Sequence, residues 1–218
     1  SVGFYCADGA SVIIGETSGI RFEAVITQEW YAKLLEDNEG YSVEFHSLLA
    51  PATEDISSLT PSTPNVKDNA FSFIPSFSDG GTYSYYTALV YDNLSEETEE
   101  VRMKAYATEI SFRAYALLTK ENYESVIVYA TATDTTRSAR AIANVALKNQ
   151  TFSDEETAVL KSYLGESKDI GAENDFYYNI SEGKNSVLDV AEIPDGIYKV
   201  YNGAARVCDS SVENGKLT

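Results

Sequence analysis

Apolar residues recur along this chain with two different periods, and the change of period divides it into elements. In the run Ile20-Arg21-Phe22-Glu23-Ala24-Val25-Ile26, the residues Ile20, Phe22, Ala24 and Ile26 alternate onto one face, which predicts a half-buried strand. Upstream, Val2–Cys6 and Ser11–Ile14 flank Asp8-Gly9, a turn pair that tolerates positive φ. Thr27 then offers a helix N-cap, Trp30, Tyr31, Leu34 and Leu35 recur at helical spacing, and Gly40 closes a helix over 28–39. Trp30 lies on that apolar stripe and reads as a core anchor, with a ligand platform as the alternative.

Val43–Leu49 reads as a further strand. Ala50–Asn69 carries Pro51, Pro61 and Pro64 and interrupts ladder hydrogen bonding; it is either a binding loop or lid, or a packed crossover between sheets. Phe71, Phe73 and Phe77 surround Pro75, Ser78-Asp79-Gly80-Gly81 makes a turn, and Thr82–Tyr91 alternates strictly. One side of that strand holds Tyr83, Tyr85, Thr87, Leu89 and Tyr91, the other Thr82, Ser84, Tyr86, Ala88 and Val90. Asp92–Glu100 reads as an acidic loop, followed by β runs at Arg102–Leu118, interrupted or bulged, and at Ser125–Thr133.

The period then lengthens to about 3.6. Ala139, Ile142, Ala143 and Ala146 form a narrow stripe over 135–148, and Ser153-Asp154-Glu155-Glu156 is a capping box opening a helix over 154–164. Asn202-Gly203 between alternating runs signals a terminal hairpin. The expected fold is mainly β: an antiparallel, jelly-roll-like β-sandwich with two or three accessory helices. It occupies 1–165, and 166–218 is a C-terminal β segment that either completes the domain or stands apart.

Charge narrows the partners. Against 34 Asp and Glu there are 16 Lys and Arg, a net −18, which repels nucleic acid and anionic membrane surfaces. No apolar run approaches the ~20 residues that span a bilayer, and Ser1–Gly9 lacks the pattern of a signal peptide, so the chain reads as soluble with any export signal removed. Sixteen Tyr beside one His, one Trp, one Met and two Cys is the composition of an exported, β-rich surface module. A single histidine, His46, limits multi-histidine metal sites and catalytic triads; in its alternating run it reads as a surface or rim residue. Cys6 and Cys208 either pair across a very long loop or remain two buried thiols.

Three short motifs add a context. Gly9-Ala10-Ser11-Val12 leading to Gly19-Ile20-Arg21-Phe22, then Gly81-Thr82-Tyr83-Ser84-Tyr85-Tyr86, then Phe112-Arg113-Ala114-Tyr115 followed by Arg137-Ser138, occur in an order that resembles an extracellular β-rich module of large exported proteins from Gram-positive gut bacteria. There the module stands beside dockerins, cell-wall attachment segments or carbohydrate-active domains. The resemblance covers roughly residues 9–148 and implies a secreted or cell-surface location within a larger, cellulosome-like protein, with neighbouring domains as partners. It implies no residue roles.

The tyrosines suggest the chemistry. A sugar presents an apolar C–H face and a polar rim, so flat rings beside Asp or Asn bind it by stacking and directed hydrogen bonds. Along an extended strand Tyr83 and Tyr85 lie about 7 Å apart, near the repeat of neighbouring sugar units, and Tyr91 about 20 Å further on. Asp79, Asp92 and Asn93 flank them, and Tyr177 and Tyr178 beside Asn174 and Asp175 form a second patch. The alternative is that this strand face packs into the core. Glycoside hydrolysis needs only two carboxylates about 5–9 Å apart and is not excluded, but no pair stands out, and no Gly-x-Ser-x-Gly elbow, phosphate loop or dinucleotide fingerprint occurs. No cofactor is expected; the oxygen-rich Asp92–Glu97 run allows a structural calcium as the alternative. The leading expectation is a non-catalytic module binding polysaccharide, and the second is a spacer or adhesin-like protein-interaction module without a sugar site.

Overall fold

A computed structural model describes residues 3–52, 55–164, 188–189, 196–202, 205–214 and 216–217. The chain forms two compact units, residues 1–92 with 109–138, and residues 93–108 with 139–218.

The first unit is an antiparallel β-sandwich. Its first sheet contains β1 (Phe4–Cys6), β2 (Ser11–Ile13), β3 (Gly19–Thr27) and β6 (Thr82–Val90). β3 is the spine: β6 pairs along one edge, while β1 and β2 share the other. In the second sheet β5 (Lys67–Phe71), β4 (Ser42–Pro51) and β7 (Ile110–Thr119) lie in order, with β8 (Val126–Tyr129) and β9 (Thr136–Arg137) sharing the far edge of β7. Helix α1 (Gln28–Asp37) carries the chain from the first sheet to the second. Thr27 stands at its N-cap position, but its hydroxyl accepts from the Gly3 N–H at 2.9 Å and so ties the start of the unit to β3 instead of capping the helix.

The inward residues of β3 are those its alternation predicts, with Ile20, Phe22, Ala24 and Ile26 all fully buried. Phe22 stacks on Phe112 of β7 with ring centroids 5.1 Å apart, joining the sheets at mid-height. Toward α1 the seam is aromatic: Phe45 touches Phe4, Trp30, Phe73 and Tyr85 at centroid separations of 4.9–6.5 Å among these and their neighbours. Trp30 is therefore a half-buried core anchor. Gly19 is required where β3 meets β6, because a Cβ there would stand 2.0 Å from the Leu89 carbonyl oxygen. Cys6 is a free, buried thiol whose Sγ accepts from the Ala114 N–H at 3.3 Å. Burial pushes its pKa from 9.0 to about 12. The side chain of Cys208 lies outside the described residues.

The segment 130–135 stitches the two sheets along one edge. Ala130 N–H donates to Ala114 O at 2.9 Å, Thr131 N–H to Phe4 O at 3.0 Å, Cys6 N–H to Thr131 O at 2.8 Å and Gly9 N–H to Asp134 O at 2.7 Å. Thr131 bridges Tyr5 in the parallel sense. Phe112 and Thr135 exchange a further pair of bonds, at 3.0 Å from Phe112 N–H and 2.6 Å from the Thr135 hydroxyl.

Two expectations are corrected here. The irregular stretch after Ala50 ends sooner than its composition predicts, because Lys67–Phe71 pairs with β4; within it lies one short 3-10 turn, Ile56–Ser58. The segment read as acidic loop and then β run instead holds helix α2 (Glu99–Ala107). Thr98 caps it by accepting from Val101 N–H at 3.3 Å, Glu99 and Glu100 favour the positive end of the helix dipole, and Arg, Met, Lys and Ala supply helix propensity. α2 belongs to the second unit with α3 (Ala139–Asn149) and α4 (Asp154–Leu164). The capping box of α4 forms reciprocally, Glu156 N–H to Ser153 Oγ at 3.2 Å and Ser153 N–H to Glu156 Oε2 at 2.9 Å. That unit also contains the terminal hairpin, β11 (Gly196–Asn202) against β12 (Ala205–Glu213), with β10 (Leu188–Asp189) and β13 (Lys216–Leu217). Asn202 pairs with Ala205 at the end of this hairpin's ladder.

Candidate functional site

The tyrosine face expected to meet water faces the other sheet. Register carries the inward side of β3 onto β6: Ile20, Phe22, Ala24 and Ile26 stand opposite Leu89, Thr87, Tyr85 and Tyr83. Tyr85 is 5% exposed and Tyr91 6% exposed. Tyr85 donates its hydroxyl to the His46 carbonyl at 3.1 Å, and burial holds its pKa well above the usual phenol value. Thr87, next on that face, donates to Ser47 Oγ of the facing strand at 2.8 Å. Tyr83 is half-buried against Phe73, centroids 4.9 Å apart. Tyr85 and Tyr91 are thereby closed to a sugar, while Tyr83 keeps part of its surface exposed. Of the polar residues expected beside them, Asp79 is exposed in the turn before β6, beside an open cleft of about 530 Å³ bounded by Gln28, Glu29, Ala32 and Gly81. Asp92 is exposed and accepts from Ser18 N–H at 2.8 Å, and Asn93 begins the second unit. Asn174, Asp175, Tyr177 and Tyr178 lie outside the described residues.

A polar cluster that the sequence did not announce lies on the outer face of the second sheet. His46 and Tyr115 are cross-strand neighbours, with rings stacked at 4.6 Å. His46 Nε2 faces Glu44 Oε1 at 2.7 Å and Nδ1 faces Asp68 Oδ1 at 2.9 Å, while the Tyr115 hydroxyl donates to Asp68 Oδ2 at 2.7 Å. Both ring nitrogens are thus directed at carboxylates, and the side chain is 11% exposed. His46 is a clamped structural residue, which corrects the reading of a surface histidine. Burial and the Asp68 hydrogen bond keep Tyr115 protonated far above neutrality.

Beside this cluster, Leu48, Ala50, Leu59 and Tyr115 form a small apolar core under the strap of residues 55–66, with Val66, Leu117 and Tyr129 at its margin. Arg113 fixes the strap: its Nη1 donates to the Ser57 and Leu59 carbonyls, at 2.6 and 3.0 Å, and its guanidinium lies 3.7 Å from the Tyr129 ring centroid. The strap is a packed cover for the sheet. Each residue of the Phe112-Arg113-Ala114-Tyr115 motif therefore has a packing role.

The first sheet carries a matching pair on its outer face. Arg21 lies 4.6 Å from the Tyr86 ring centroid, donates to Ser11 Oγ at 3.1 Å, and Tyr86 donates to Glu23 Oε1 at 3.3 Å. Tyr86 is 45% exposed. It belongs to the strand side that the sequence reading passed over.

A third arrangement stands where two tight turns meet at one end of the second sheet. Ser42 opens β4 opposite Thr119, the last residue of β7, so the turns before β4 and after β7 are neighbours. Gly40 with φ +82° shapes the first and Asn122 with φ +64° the second. They bring Tyr41 and Tyr123 together with centroids 6.3 Å apart and planes at 59°. Lys120 Nζ lies 5.3 Å from the Tyr41 centroid and 5.0 Å from that of Tyr123, and donates to the Glu39 carbonyl at 3.3 Å. Tyr123 is 63% exposed. A faint sequence signal existed: each tyrosine follows a Gly or Asn by one residue, Tyr41 in the turn from α1 to β4 and Tyr123 in the turn from β7 to β8.

Among the described residues no group of three or more His, Cys, Asp or Glu is arranged to hold a metal, and no helix is long and apolar enough to cross a membrane. Comparison with protein-family models, with curated proteins and with solved structures finds no match for the chain.

Proposed function

We propose that the chain is a non-catalytic structural module of a larger extracellular protein, holding neighbouring parts apart under tension. One observation carries this reading. The first strand of the sandwich and the segment leading to its last strand run parallel and are joined by Cys6 N–H to Thr131 O, Thr131 N–H to Phe4 O and Gly9 N–H to Asp134 O. Force drawing the start of β1 away from the end of β9 slides these two segments past each other. All three bonds then resist at once, whereas peeling a hairpin opens them one at a time.

Other features agree with a scaffold. The motif residues are spent on packing, His46 is held on both nitrogens, and the net charge of −18 keeps such modules apart in a crowded surface layer. The extracellular, multidomain setting rests on the resemblance described above.

Pulling the whole chain by its ends in a force spectrometer tests this reading. Thr131→Pro deletes one donor of the clamp and is expected to lower the force of the sandwich peak, while Thr131→Ala, which keeps the N–H, leaves it unchanged. Thermal unfolding verifies that both variants fold. An unaltered peak in a folded Thr131→Pro protein would overturn the proposal.

A further inference from the structure

We infer that Tyr41, Lys120 and Tyr123 form a loop-borne subsite for a neutral pyranose sugar, a role independent of the mechanical one. The two rings stand with centroids 6.3 Å apart and planes at 59°, Tyr41 half-buried and Tyr123 exposed. The C–H face of a pyranose lies on the exposed Tyr123 ring, and Tyr41 closes the edge.

Lys120 supplies direction. An ammonium has three N–H donors, and among the described residues the acceptor it meets is the Glu39 carbonyl. The ammonium lies over both rings, 5.3 and 5.0 Å from their centroids, and its remaining donors point to the hydroxyls of a sugar seated on the other face of Tyr123. Gly40 makes room for this: a Cβ there would stand 3.2 Å from Lys120 Nζ. The turn glycine therefore serves the lysine's position as well as the φ of +82°.

Tyr123 is 63% exposed, in contrast to Tyr85 and Tyr91, which the core consumes. Charge selects a neutral ligand over an acidic one. Glu39, Glu121 and Glu124 are exposed in the same two turns, and the chain carries −18 overall, so a polyuronate approaches against repulsion that a single ammonium does not cancel.

Titration of the full chain with cellohexaose, mannohexaose and xylohexaose, and with polygalacturonate as the anionic arm, tests the site by calorimetry or by amide chemical shifts. At least one neutral hexasaccharide is expected to bind. Tyr123→Ala should weaken that binding by roughly tenfold or more, a change of about 1.4 kcal/mol. Tyr123→Trp retains it, and Tyr86→Ala, on a different face, leaves it unchanged. Tyr41→Ala provides a second disabling variant, with the melting temperature of each reported alongside. The proposal fails if none of the three neutral probes binds, if only polygalacturonate binds, or if Tyr123→Ala binds as the parent does. None of those results bears on the clamp at Thr131.

Discussion

The two sheets of the sandwich carry the same chemical pair on their outer faces, an arginine lying over a neighbouring strand's tyrosine, and use it in opposite ways. Arg113 over Tyr129 is roofed by the 55–66 strap and donates to the Ser57 and Leu59 carbonyls. Arg21 over Tyr86 has no such roof among the described residues, and the ring is 45% exposed. The pair itself does not decide whether an aromatic residue is structural or available. What decides it is whether a loop brings apolar groups such as Leu59 and carbonyl oxygens to cover it.

This contrast is sharpest in stability. Leu59 is fully buried beneath the strap, so Leu59→Ala is expected to cost about 2–5 kcal/mol through lost burial and a cavity. Tyr86→Ala, on the open face, should fall within about 0.5 kcal/mol of the parent. Urea unfolding of both variants measures the difference directly, and equal losses would show that the open face is covered after all.

A smaller separation is expected between the arginines. Arg113→Ala leaves two strap carbonyls without their donor and removes the cation from Tyr129, a loss of about 1–3 kcal/mol. Arg21→Ala gives up an exposed contact worth no more than about 1 kcal/mol. Protease nicking within 55–66 should accelerate only in the first variant.

Much of the sandwich was legible because alternation is a local property. The inward face of β3 follows from Ile20, Phe22, Ala24 and Ile26 alone, and the capping box of α4 from Ser153 and Glu156. The orientation of β6 was not legible in that way. Tyrosines occupy both of its sides, so composition does not choose between them; the pairing of Ala24 with Tyr85 chooses, and that pairing joins residues 61 positions apart. For α2 the apolar residues Val101, Met103 and Tyr106 fit a strand's period no worse than a helix's, and the cap at Thr98 was the better guide. The His46 cluster joins Glu44, Asp68 and Tyr115 from three strands, and the Tyr41–Tyr123 pair joins two turns. Both depend on strand register, which no single segment encodes.

Nitration of the folded protein with tetranitromethane, followed by peptide mapping, puts the orientation of β6 to its most direct test, since the reagent attacks accessible tyrosines through the phenolate. Tyr86 and Tyr123 are expected to be modified while Tyr85 and Tyr91 are spared, Tyr85 being shielded and held in its protonated form. Modification of Tyr85 as fast as Tyr86, before any unfolding, would contradict the packing of the two sheets described here.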